Sequence, residues 1–190
     1  MAAFSLETAS QLVKDTGSTG GRYINVSKID GEVKLRCFGE GISGVEAWVT
    51  SENPNEKDKC IRWESRPESL PENIRINDGD KGDGTKIFVA IVVWDYDAED
   101  FKILSITQRT LINQLMSNVA DDDIGDPNNY DIKIVREKTG ERKQDVKYTL
   151  KNLNAKAVTK DLAAKWEEFQ DNVDLSKMFD GDDPFLDTKS

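Results

Sequence analysis

At 190 residues, with 37% hydrophobic and 33% charged residues, the chain suits one domain of ordinary size with much of its length left to surface or tail. It holds no histidine and two cysteines, Cys37 and Cys60, which excludes Ser-His and Cys-His nucleophile pairs, most zinc sites and a disulfide framework. The formal charge of -10 is segregated: residues 132–165 carry ten Lys or Arg against four acids, whereas residues 171–190 carry six Asp against two Lys, so an anionic partner is not excluded.

Residues 1–21 predict a short helix, Leu6 to Lys14, and a Gly/Ser/Thr linker. This start lacks the basic and apolar stretches of a secretory signal, and no apolar run reaches the roughly 20 residues of a membrane span. The expectation is a cytoplasmic protein (in the host cell if viral) without a membrane partner.

Residues 22–155 predict a β-domain. Glu32 to Gly39 alternates, with Val33, Leu35 and Cys37 on one face and Lys34, Arg36 and Phe38 on the other. Ser43 to Thr50 does the same, setting Val45, Ala47 and Val49 against Glu46 and Trp48. Gly39, Gly41 and Gly44 between them suit a hairpin or one strongly bent strand. Lys59 to Glu64 reads as a third strand, with Arg62 opposite Ile61 and Trp63. Residues 65–85 hold Pro67, Pro71, Gly79, Gly82 and Gly84, the mark of a long loop. Lys86 to Tyr96 is continuously apolar, as in a strand covered on both faces. It turns through Asp97 to Asp100 and returns as Phe101 to Ile106.

Ser105-x-x-Gln108 predicts a capping box opening a helix with Leu111, Ile112, Leu115, Met116 and Val119 on its apolar face. Tyr130 to Glu137 and Asp145 to Leu153 predict a hairpin, with Val146, Tyr148 and Leu150 inward and Lys147, Thr149 and Lys151 outward. A helix follows over Thr159 to Val173 (within 156–173), then a flexible acidic tail, 174–190. The order is that of an OB-like Greek-key β-barrel of five or more strands, with one inserted helix and a C-terminal helix.

The candidate binding surface is the outward face: Lys34, Arg36, Phe38, Trp48 and Arg62, joined by Trp94 and Tyr96 at the end of the buried strand. Lys133, Lys147 and Lys151 extend it along the hairpin. Cations track phosphates, and aromatic rings stack bases with little regard to sequence, at about 1–3 kcal/mol per base. An exposed Trp can equally pack beneath a loop, and a basic strand face can simply be solvated. In the tail, Asp180, Asp182 and Asp183 precede Pro184-Phe185. An acidic peptide with an apolar tip suits a basic pocket on a partner protein; a plain solubilising tail explains the acids but not Phe179, Phe185 and Leu186.

Other patterns are weaker. Asp78 to Gly84 resembles a calcium loop, but its glycine falls one place late and Val89 stands where the twelfth-position Glu belongs. Glu32-Val33-Lys34 matches the Glu-x-Lys element of Mg²⁺-dependent nucleases, a pattern too short to carry weight. No metal, cofactor or enzymatic activity is expected, and nothing in the pattern sets an oligomeric state.

Lys102-Ile103-Leu104-Ser105-Ile106-Thr107-Gln108, then Gly125-Asp126-Pro127, Tyr130-Asp131-Ile132-Lys133-Ile134-Val135-Arg136 and Val146-Lys147-Tyr148-Thr149-Leu150, resemble the single-stranded DNA-binding proteins of tailed bacteriophages, over roughly residues 22–186. Asp182-Asp183-Pro184-Phe185 is similar to the acidic tip of bacterial single-stranded DNA-binding proteins. The resemblance implies an OB fold, sequence-independent single-stranded DNA binding in replication, recombination or repair, and a tail that recruits proteins of those processes. The competing expectations are a β-barrel interaction or recombination-mediator module without DNA contact, and a Mg²⁺-dependent nuclease using Glu32 and Lys34.

Overall fold

The computed structural model describes residues 21–53, 55–76, 82–142 and 145–186. The helix expected over Leu6 to Lys14 and most of the calcium-like loop lie outside them.

The described residues form a mainly β structure whose sheet curls into a half-barrel around one face. Its strands are β1 (Tyr23–Ile24), β2 (Glu32–Val49), β3 (Lys59–Trp63), β4 (Lys86–Asp95), β5 (Asp100–Ile106), β6 (Tyr130–Lys138) and β7 (Val146–Ala155). They run in the order β1-β5-β4-β2-β6-β7, with β3 added beside β2. All pairs are antiparallel except β1 with β5.

The two alternating runs predicted between residues 32 and 50 are one strand. In β2 the pairing with β4 slips between Phe38 and Ile42, and Gly39 takes a left-handed φ of 69° that other residues resist. Before this bulge β2 pairs with β6, and after it with β3. The bulge therefore curls the sheet and lets one strand serve both arms.

Inside the curl lie Val33, Leu35, Cys37, Val89, Ile91, Val93, Leu104, Ile106, Ile132, Ile134 and Leu150. Helix α1 (Arg109–Val119) closes this core with Leu111, Ile112 and Leu115. It lies against β7: the Gln114 side-chain oxygen accepts from Leu150 N at 2.6 Å, and Asn118 donates to Asn152 at 2.8 Å. The expected capping box at Ser105 does not form, because Ser105 is still in β5. The helix starts after Gln108, whose side chain makes no cap. The pull of β4 on its β5 partner, seven facing pairs long, outweighs a local cap worth about 1 kcal/mol.

A second core lies on the outer face. Phe38, Phe88, Ala90, Val92, Trp94, Phe101 and Ile103 are covered by Leu162, Trp166 and Phe169 of α2 (Lys160–Phe169), then by Leu175, Met178 and Phe185. This explains why β4 reads as apolar throughout: alternate residues serve two cores. The chain after α2 passes through one 3-10 turn (Gln170–Asn172) and the short helix α3 (Lys177–Asp180). Val173 and Phe185 then form a β-bridge, with Asp174 N donating to Pro184 O and Leu186 N to Asn172 O, both at 2.8 Å. The flexible tail expected from residue 174 is thus folded as far as Leu186. The physical reason is apolar: burying a side chain such as Leu175, Met178 or Phe185 is worth about 1.5–3 kcal/mol, and the outer sheet face offers the place. Among the described residues, no helix is long and apolar enough to cross a membrane.

Candidate nucleic-acid interface

Strand alternation does bring the outward residues of β2 onto one surface, but it gives them different fates. Arg36 is 1% exposed. Its guanidinium donates to the carbonyls of Asn128 and Lys156, and its Nε lies 3.0 Å from Asp131 Oδ1, close in charge though poorly aligned as a hydrogen bond. It holds the start of β6 and the end of β7 onto β2, and it presents nothing to solvent. Phe38 and Trp94 are buried too, where the sequence placed them on an open face. Phe38 packs 5.1 Å from Trp166, and Trp94 4.9 Å from Phe101, with Lys165 over its ring. Both lie under α2, an element whose docking partner no local pattern announces.

Tyr96 is half-buried; its hydroxyl donates to Asp131 at 2.9 Å, and Lys34 sits 4.2 Å over its ring. Burial first, and the bond to Asp131 second, raise the Tyr96 pKa above the ordinary tyrosine value. Arg62 is paired with the buried Glu46 at 3.0 Å and lies over the Phe88 ring. Burial, and then Glu46, push the Cys60 thiol up to about 12, and burial pushes Cys37 up to about 12. Trp48 alone of the expected rings is open, 43% exposed, with the Arg75 guanidinium 5.9 Å from its ring centre.

The basic hairpin residues meet as expected, and β2 adds to them. Lys34 on β2 faces Lys133 on β6, and Lys133 faces Lys151 on β7. Three ammonium-bearing positions therefore form one row across three strands, stepping about 4.8 Å from strand to strand. Lys34 pairs with Asp131 at 2.9 Å and Lys133 with Glu32, while Lys151 and Lys147, exposed on the same face of β7, have no ion pair among the described residues. The pairing with Lys133 holds the Glu32 carboxyl below its ordinary pKa. Like charges placed directly opposite destabilise a sheet, so the row is a local cost that folding does not require.

Glu32 and Lys34, the nuclease-like pair, are thus each tied to a neighbour on another strand. Among the described residues no three Cys, Asp or Glu side chains are grouped to hold a metal ion. In the tail, Asp180, Asp182 and Asp183 are exposed, but Pro184 and Phe185 are buried. The Phe185 ring contacts Phe169 and Tyr23 and lies 4.6 Å under the Arg22 guanidinium, so the expected docking tip already occupies a pocket of its own chain.

Sequence reasoning missed the buried pair Lys102–Asp95, 2.8 Å apart and each 3% exposed. Its only trace was a lysine facing inward within the apolar strand Phe101 to Ile106. No family model, no curated protein and no solved structure matches this chain.

Proposed function

We propose that the protein binds single-stranded DNA without sequence preference and without catalysis, along the outer face of β2, β6 and β7. The observation that carries this reading is the row Lys34–Lys133–Lys151, which runs across the strands and ends beside the half-open Tyr96 ring. Cations at strand spacing follow a phosphate backbone, and a neighbouring ring gives a base something to stack on. The strand path β5-β4-β2-β6-β7, with a helix between β5 and β6, is the order of an OB barrel left open between β5 and β7, and we read the fold so. In OB proteins the second and third strands commonly face the ligand; their counterparts here, β4 and β5, lie under α2 and the C-terminal segment, which leaves the β2–β6–β7 flank as the accessible side.

The test is anisotropy of a labelled oligo-dT across a salt series. Binding is expected to weaken linearly on a log scale, each neutralised phosphate contributing about -0.7 to the slope. Replacing both Lys147 and Lys151 by Ala should flatten the slope by about one to two contacts. No binding at low salt, or an unchanged slope in the double variant, defeats the reading. A second reading, a β-barrel interaction module that never touches DNA, is favoured by the burial of Phe38, Trp94 and Phe101 under α2. It expects no anisotropy change at any salt.

A further inference from the structure

At the rim of the half-barrel, where β4 begins and α1 opens, lies a cavity of about 390 Å³, inside the about 300–1,000 Å³ span of small-ligand sites. Three cations line it from separate stretches of chain: Arg66 from the loop after β3, Lys86 from the first position of β4 and Arg109 from the first position of α1. No acid lines it among the described residues, although the chain carries a net charge of -10. Arg66 is already matched, since its guanidinium pairs with Asp83. Lys86 and Arg109 are exposed and make no ion pair among the described residues. Glu46, opposite Lys86 in the β2–β4 ladder, is buried and bound to Arg62 at 3.0 Å instead. The first turn of α1 has no acid to offset Arg109. Two positive charges therefore stand uncompensated over one cavity.

The rest of the lining is of a different kind. Val45, Ile87 and Ile112 form an apolar wall, and Ile87 is 57% exposed, a large aliphatic side chain that folding leaves in water. Thr107 and Asn113 add neutral hydrogen-bond donors. The ligand that fits has a doubly negative group joined to a body with apolar faces. A phosphate monoester carries about 1.5–2 negative charges at neutral pH, whereas a phosphate inside a strand carries one. Guanidinium and ammonium groups suit its oxygens, and the ring and sugar of a nucleoside would cover the aliphatic wall.

We propose that this cavity binds a phosphate monoester on a nucleoside, either a free nucleotide or the phosphorylated end of a DNA strand. The site stands apart from the lysine row, because Val45 lies eleven residues beyond Lys34 along β2 and past its bulge. The row meets the single charges of a strand one after another. The cavity takes the group whose charge is doubled at one point.

The experiment is equilibrium dialysis of the full chain against labelled thymidine 5′-monophosphate, with thymidine as the uncharged control, at about 0.05 M salt. The monophosphate should bind, inorganic phosphate should compete with it, and thymidine should not bind. Lys86→Ala with Arg109→Ala should weaken binding about tenfold or more. The melting temperature should not change, since both side chains are exposed and unpaired. An equal loss of charge at Lys156→Ala with Lys160→Ala should leave mononucleotide binding as it is. Oligo-dT with and without a terminal phosphate then identifies the source. An end phosphate that tightens binding in the parent and not in the Lys86, Arg109 double variant assigns the cavity to strand ends. An end phosphate without effect, beside a bound mononucleotide, assigns it to free nucleotides. No mononucleotide binding, thymidine that binds equally well, or binding that survives the double variant overturns the proposal. A mononucleotide does not need the lysine row, so the dialysis result stands whether or not the row binds DNA.

Discussion

Arg36 shows how one side chain can look like a ligand contact and act as a strut. Its alternation with Val33, Leu35 and Cys37 was legible, as was its charge. What was not legible is Asp131, ninety-five positions later, which only the pairing of β2 with β6 brings opposite it. Replacing Arg36 by Leu leaves a buried carboxylate with Lys34 as its remaining cation. We expect a loss at the low end of the about 3–5 kcal/mol typical of breaking a buried pair, read by urea unfolding. Trp48 is the opposite case. It is the exposed one of the four tryptophans, so oligo-dT stacked on it should quench intrinsic fluorescence, and Trp48→Ala should remove the quench while leaving the fold intact. Quenching that persists in the Ala variant would assign the stacking to another ring.

Among the elements, the C-terminal segment departs most from its sequence pattern. Six Asp in twenty residues read as solvated tail, and locally that is sound. The apolar residues among them decide otherwise, since Leu175, Met178 and Phe185 complete a core whose other wall is β4 and β5. Phe185→Ala is therefore expected to cost about 3–5 kcal/mol, and truncation after Asn172 more, both read as a lower denaturation midpoint. A truncated chain as stable as the parent would show that the segment merely rests on the sheet. Asp174 adds a pH dependence to this element. Hydrogen bonds from the Ser176 hydroxyl and backbone lower its pKa, so the stability it confers is present above the ordinary carboxylate range and is lost as pH falls through the lowered value.

For the whole molecule, the absence of histidine removes the usual titration near neutrality, and the groups tuned by burial lie at the alkaline end. Burial raises the pKa of Tyr23, Tyr96 and Tyr130 above the ordinary tyrosine value and carries Cys37 and Cys60 to about 12. A group whose folded pKa is raised stabilises the fold fully below its unfolded pKa and ceases to do so as pH rises through the folded one. Melting temperature should therefore decline as pH climbs from about 9 toward about 12. Both thiols should resist alkylation at pH 8 until the protein unfolds, because the thiolate is the reacting form. A melting temperature flat through that alkaline range would contradict the burial assigned to these groups.

The sequence by itself determined strands β2 to β7, though not the two-residue β1, together with the inward faces, the basic hairpin and the doubly covered character of β4, because period-two alternation and unbroken apolar runs are local signals. It also placed Lys133, Lys147 and Lys151 on one side of that hairpin. Only the tertiary structure decided which outward groups stay outward. The docking of α2 onto β4 and β5, the folding back of Phe185 and the alignment of Lys34 with Lys133 and Lys151 all join residues far apart in the chain. Burial at such places depends on what the rest of the chain brings over them, and no window of neighbouring residues contains that information.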